Sequence, residues 1–194
     1  MSQIASTAII KNPNRVIWGS NVIIMDHVII GLENYYQDIF ENDEQRLVTI
    51  EDKVRIYPWT LVYEGATLRT EVIMEERTTV GSRTDVGARS RILYQAQVND
   101  NIRIGHDCII GAFIADNCKI GNYCSVFGAL VHRYSNQDTT LWNETEEQGP
   151  ILEDRVLVGW GSVIVGNVTI GKGSRIRPNT VVTRDIPAGT VYAG

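Results

Sequence analysis

Aliphatic residues recur every six positions over most of this chain. Ile50, Ile56, Val62, Leu68, Met74, Val80, Val86, Ile92, Val98 and Ile104 follow one another without a slip. Four places after each stands a small or apolar residue: Val54, Thr60, Ala66, Val72, Thr78, Thr84, Ser90, Ala96, Ile102 and Cys108. A second run starts at Leu152 and continues through Val158, Ile164, Ile170, Ile176 and Val182. Shorter runs start at Ile4, Ile10, Val16, Val22 and Val28, and at Ile114, Ile120 and Val126.

A period of six fits neither an amphipathic helix nor a simple strand alternation. It fits a solenoid in which each hexad makes one short strand and one corner. The first residue of each hexad points inward, and the fifth fills the crowded corner. Glycine recurs in the second slot, at Gly81, Gly87, Gly105, Gly111, Gly121, Gly159 and Gly171. It is expected there because a backbone that turns every six residues strains larger residues. Three hexads close one triangular coil, so the full hexads predict about eight coils in one all-β domain, residues 1–194. The pattern predicts a parallel β-helix but not its hand.

The beat breaks in three places. Ile114 is both the fifth residue of one unit and the first of the next, so the coil is two residues short there. Residues 34–49, "NYYQDIFENDEQRLVT", and residues 132–151, "HRYSNQDTTLWNETEEQGPI", carry no hexads. Segments of that length inside a compact solenoid are expected to be functional loops or plain surface insertions.

Composition narrows the function classes. With 18 basic and 23 acidic residues the net charge is −5, which argues against nucleic acid as the main partner. No apolar run reaches membrane-spanning length. The N-terminus lacks the pattern of a secretory signal, so a cytoplasmic location is expected. Cys108, Cys118 and Cys124 all occupy fifth slots. They read as corner-filling core residues, and no metal site is expected.

The sustained hexads resemble the hexapeptide-repeat acyltransferases. The resemblance covers nearly the whole chain. It implies a left-handed β-helix, an exception to the usual right-handed crossover. It also implies an acyl-CoA cosubstrate, such as acetyl-CoA, and a homotrimer with sites between neighbouring prisms. Apolar residues outside the inward slots suit such an assembly: Trp18, Ile24, Met25, Tyr57, Trp59, Tyr63, Tyr94, Phe113, Phe127 and Trp160. Some of them could instead pack under the insertions.

Acyl transfer needs a base, and histidine is the side chain that titrates near neutrality without large perturbation. The chain holds His27, His106 and His132. His27 ends its hexad, "IIMDHV", and reads as a turn residue. His106 lies in "IGHDCIIG". That string resembles the His-Asp-Cys segment around the catalytic histidine of UDP-N-acetylglucosamine acyltransferase and of sialic-acid O-acetyltransferase-like enzymes. Asp107 would orient His106, although neighbouring strand residues normally point to opposite sides. An exposed turn histidine is the competing reading.

His132 opens the second insertion. The stretch "KIGNYCSVFGALVHRYSNQ" resembles the nucleotide-linked amino-sugar N-acetyltransferases, in which a loop leaves the coil at the acceptor site. "LVYEGATL" and "EERTTVGSRTDVG" resemble segments of the same branch. By that resemblance, Glu76, Arg77, Arg83, Tyr134 and Asn136 become substrate-binding candidates on a dTDP- or UDP-linked deoxyamino sugar. The loop prolines of that branch are missing. From Arg155 to Arg184 there is no acid, yet Arg155, Lys172, Arg175, Arg177 and Arg184 are present. Coenzyme A carries a pyrophosphate and a 3′-phosphate that such residues can hold. The resemblance implies a cofactor running along these C-terminal coils, which makes Gly159, Trp160, Gly161, Lys172, Arg175 and Arg177 the cofactor candidates. O-acetyl transfer to a sugar or antibiotic hydroxyl is the nearest alternative. A non-enzymatic scaffold is another. A γ-type carbonic anhydrase would need a close pair of histidines, which the spacing does not offer.

Overall fold

The computed structural model describes residues 1–34, 41–133 and 148–194. Among these, twenty-seven short strands form three parallel sheets of ten, nine and eight strands. We name them A, B and C in the order the chain first visits them. The chain passes A, then B, then C, and begins the next coil, so three corners, A–B, B–C and C–A, run the length of a triangular prism. Two 3-10 turns, Pro13–Arg15 and Asp43–Arg46, are the helical elements described.

The hexad explains each coil. In the regular region the first-slot residues, such as Ile50, Ile56, Val62 and Leu68, are fully buried, as are the fifth-slot residues Val54, Thr60 and Ala66. Each buried Val, Leu or Ile contributes about 1.5–3 kcal/mol. Backbone N–H groups donate to carbonyls of the next coil, as in Thr67 to Thr84 at 2.8 Å and Asp85 to Ile102 at 2.9 Å. Thr60, Thr78, Thr84 and Ser90 are buried in corners, and their hydroxyls are satisfied by backbone carbonyls or by one another. Cys108, Cys118 and Cys124 are buried free thiols. Burial pushes the Cys118 thiol up to about 12.

The strands make about nine coils, one more than the hexads predict. The extra strands are Ile109–Ile110, Ala129–Val131 and Val191–Tyr192. Val98 pairs with Ile114, so the coil is shortened to sixteen residues where the sequence places the stumble. A second shortening follows, because Leu130 pairs with Ile114 and sits four residues after Val126. The two short corners stack on successive coils at the A–B corner.

The N-terminal phase differs from the expected one. Trp18 pairs with Ile50, and Ile4 and Ile10 pair with Ile24 and Ile30. The first slots are therefore Trp18, Ile24 and Ile30, while Val22 and Val28 are fifth-slot residues. The turn at Pro13–Arg15 adds two residues to the first coil. Ile24 is core, not an outward residue. His27 moves from the end of its hexad to the fourth slot.

Fourth-slot residues of the regular coils take the left-handed conformation, from Lys53 (φ 58) and Glu71 (φ 62) to Arg155 (φ 60). Most are not glycine. The second-slot glycines serve another purpose: a Cβ on Gly87 would lie 2.4 Å from the carbonyl carbon of Gly105, and one on Gly121 2.7 Å from the Asp154 nitrogen. They allow close approach of the next corner and do not supply positive φ.

Candidate active site

Each histidine stands on a different corner of the prism. His27, at the A–B corner, stacks on Trp59 with ring centroids 4.2 Å apart. Both are left-handed fourth-slot residues. This is a packing role in the N-terminal coils.

His132 lies at the B–C corner. Its Nε2 hydrogen-bonds the Asp116 carbonyl oxygen at 2.7 Å. A carbonyl only accepts, so Nε2 carries the proton. The same corner holds a buried polar row. The Asp116 carboxylate accepts from the Asp100 N–H at 2.9 Å, and Asp100 accepts from the Ser82 N–H at 2.7 Å. The Asn34 amide donates to Ser82 at 3.1 Å and to Asp100 at 2.6 Å. Burial raises the Asp100 carboxyl above its usual range. Both insertions leave the prism from this corner, and Asn34 and His132 are at their roots. Tyr134 and Asn136 lie outside the described residues.

His106 lies at the C–A corner, and here the geometry is chemical. His106 Nδ1 is 2.7 Å from Asp107 Oδ2. Neighbouring residues would diverge on a strand, but Asp107 is in the left-handed turn (φ 57), so both side chains point the same way. Arg89, one coil earlier, grips Asp107 at two points, Nε to Oδ1 at 2.8 Å and Nη2 to Oδ2 at 2.6 Å. Hydrogen bonds from Arg89, then from His106, hold the Asp107 carboxyl down to about 2. Asp107 is thus ionised and can only accept. His106 must therefore carry its proton on Nδ1, which in the neutral ring leaves the Nε2 lone pair for a substrate proton. The His106 side chain is 38% exposed, enough for access. Tyr123, on the next coil, meets the imidazole edge-on at 4.8 Å, and the Arg155 guanidinium lies 5.5 Å from the Tyr123 ring centre.

The other expected residues are dispersed. Glu76 and Arg77 are at the A–B corner and Arg83 is at the B–C corner, so one chain does not bring them together. Gly159, Trp160, Gly161 and Arg177 share the A–B corner on successive coils, where Arg177 follows the strand that pairs with Leu157–Val158. Trp160 is 71% exposed, the most of the described tryptophans. Arg175 points outward from sheet A beside them, while Lys172 is on the far edge of that sheet, at the C–A corner. The basic C-terminal stretch is not one patch. At the B–C corner, Arg133, Asn167, Thr183, Arg184 and Asp185 line an open cleft of about 450 Å³ beside the second insertion. Nothing in the sequence spacing signals this cleft. Tyr123 and the grip of Arg89 on Asp107 also escape a linear reading, because both depend on which residues stack.

Residues 149–184 match the family described as bacterial transferase hexapeptide (six repeats). The chain is 30% identical over 112 residues to a serine acetyltransferase of Synechococcus elongatus, covering 54% of the chain and 42% of that relative. It is 25% identical over 152 residues to the bifunctional protein GlmU of Bartonella bacilliformis, covering 76% of the chain and 34% of that relative. The chain thus spans less than half the length of these curated relatives. A UDP-N-acetylglucosamine acyltransferase structure from Francisella novicida superposes with a TM-score of 0.56 at 14% identity, over 96% of this chain and 63% of that one. That likeness carries the fold, the left-handed parallel β-helix. Among the described residues no helix is long and apolar enough to cross a membrane, and no group of three or more metal-ligating side chains is found.

Proposed function

We propose that this chain is an acyl-CoA-dependent acyltransferase whose general base is His106. The observation that carries this reading is the paired state of the imidazole: Nδ1 is bound to an ionised Asp107, and Nε2 is left to accept a proton. As an acceptor amine or hydroxyl attacks the thioester carbonyl carbon, His106 Nε2 takes the proton being lost. The tetrahedral intermediate then collapses, the carbon–sulfur bond breaks, and the imidazolium returns the proton to the departing thiolate. The enzyme forms no covalent intermediate. His132, with Nε2 bound to a backbone carbonyl, is placed to anchor the second insertion.

The preferred acceptor is the amino group of a dTDP- or UDP-linked deoxyamino sugar. The likeness of the insertion-bearing stretch to that branch supports it, as do Arg133 and Arg184 in the cleft beside that insertion. O-acyl transfer to a small hydroxyl is the second reading. Its support is the similarity to serine acetyltransferases over half the chain. We propose a trimer in the cytoplasm. The outer row of sheet B is largely apolar, interrupted by Thr79 and Gln97, with Ile9, Phe113 and Val181 between 42 and 59% exposed in the isolated chain. The outer row of sheet C carries Asp85, Arg103 and Lys119 instead.

A thiol-release assay with acetyl-CoA tests the reading against a panel of dTDP- and UDP-amino sugars and free serine. Turnover with amino sugars alone supports N-acylation. Turnover with serine alone transfers the proposal to the second reading. No release with any acceptor, in a protein that binds no acetyl-CoA, ends both.

A further inference from the structure

We infer that Arg89 is the positioning residue that fixes the tautomer of His106, as the second cation of a charge ladder built up the C–A corner. The inference rests on the reading of His106 as base, and goes beyond it by assigning what holds the base in its working state.

The ladder follows from backbone geometry. Lys53, Glu71, Arg89, Asp107, Tyr123 and Arg155 are the fourth-slot residues of successive coils at this corner, and all have φ between 57 and 62. Identical backbone turns aim their side chains along one edge. The charges alternate: Lys53 Nζ meets Glu71 at 2.7 Å, and Arg89 meets Asp107 at 2.6 Å. Glu71 lies between the two cations, and its carboxyl is held below its usual range by Lys53 first. The A–B corner has no such alternation in its fourth slots, which hold His27, Trp59, Arg77 and Gln95.

What Arg89 contributes is geometric. A carboxylate free to rotate would offer His106 either oxygen, or none. The planar guanidinium binds both oxygens at once and so sets the carboxylate plane. It leaves Oδ2 shared between Arg89 Nη2 and His106 Nδ1. Arg89 also keeps Asp107 ionised, so that Asp107 cannot donate a proton to Nδ1 and invert the tautomer. On the other side the alternation is interrupted by a ring. Tyr123 takes the next rung and presents no charge at contact with the imidazole, with Arg155 beyond it. The Asn122 side chain accepts from the His106 backbone N–H at 3.1 Å. Asp107 is thus the one carboxylate that touches the imidazole among the described residues.

The test is nitrogen-15 NMR of the imidazoles, assigned by His27→Gln and His132→Gln, together with the titration of the Asp107 carboxyl. In the parent protein the neutral His106 ring is expected to carry its proton on Nδ1. Arg89→Gln should move the Asp107 titration up from about 2 and convert the ring to a mixture of tautomers. Turnover should fall about 10–100-fold with KM within about twofold. Arg89→Lys keeps the charge but not the two-point contact, and should fall between; it carries the same readouts if the glutamine variant fails to fold. An unchanged tautomer and an unchanged Asp107 titration in both variants overturn the inference. A changed tautomer with unchanged turnover supports Arg89 as positioning residue and instead removes His106 from the reaction.

Discussion

Arg89 and Asp107 stand eighteen residues apart in the chain and meet through two hydrogen bonds of 2.8 and 2.6 Å. Eighteen residues is one full coil, so the pair is as local to a solenoid as an i,i+4 pair is to a helix. The coil turns a sequence interval into a contact, and the left-handed fourth slot turns the contact toward His106. This is the step by which a monotonous repeat acquires a site.

The three histidines should separate cleanly in activity. His106→Ala should lower turnover about 10²–10⁴-fold, the usual contribution of a positioned base. His27→Ala should leave turnover near that of the parent protein, because its ring is committed to Trp59. His132→Ala should act through the root of the second insertion, raising KM more than it lowers kcat. Steady-state kinetics on the three purified variants checks the order; a His106→Ala enzyme as active as His27→Ala would make His106 a turn residue.

Acid should remove part of the corner's stability in a defined window. The folded Asp107 carboxyl sits near 2, below its ordinary 3.8. A depressed carboxylate stabilises the fold above its ordinary value, and that contribution is lost as pH falls through the folded value. The stability gap between the parent protein and Asp107→Asn should therefore be full at pH 6, narrow from about pH 4, and close near pH 2. Urea unfolding at a series of pH values measures it. A gap that widens on acidification would contradict the assigned pairing.

The repeat was legible because first and fifth slots both exclude polar bulk, so the period survives almost any substitution. Its phase was less legible for the same reason. Val22 and Ile24 are both aliphatic, and nothing in their chemistry says which is first slot and which is fifth. Leu130 posed the same ambiguity, since a shortened unit makes a fifth-slot residue into the next first-slot residue. The site was half legible. His106 and Asp107 were visible as a pair, but their joint direction depends on a left-handed turn that adjacent-residue alternation does not foresee. The basic residues from Arg155 to Arg184 looked like one patch because a linear count ignores that successive hexads occupy successive faces.

Gly87 should be sensitive beyond its own coil. A Cβ there would meet the carbonyl carbon of Gly105 at 2.4 Å and the nitrogen of His106 at 2.6 Å. Backbone must move to make room, and the backbone that moves carries the dyad. Gly87→Ala should cost about 1–3 kcal/mol, a fall in Tm of several degrees for a chain of this size. It should also lower turnover more than it raises KM. Calorimetry and kinetics on the same preparation test both parts, and a variant with parental Tm would mean that the coils yield without cost.

The first insertion should be held by one buried pair. Arg46 Nη1 lies 2.7 Å from Glu64 Oε1, and the Glu64 side chain is only 2% exposed. Among the described residues Glu64 Oε2 has no hydrogen-bond partner, and Oε1 also receives the Asn34 N–H at 3.5 Å, so this guanidinium is the cation that faces the carboxylate. Removing the cation strands a buried charge, whereas removing both charges does not. Arg46→Met should therefore destabilise by about 3–5 kcal/mol. Adding Glu64→Gln to it should recover a large part of that loss, while Glu64→Gln alone should cost less than Arg46→Met. Chemical unfolding of the three variants closes the cycle. Strictly additive losses would show that the pair is not coupled, and that the insertion is held from elsewhere along the Asn34 side of the corner.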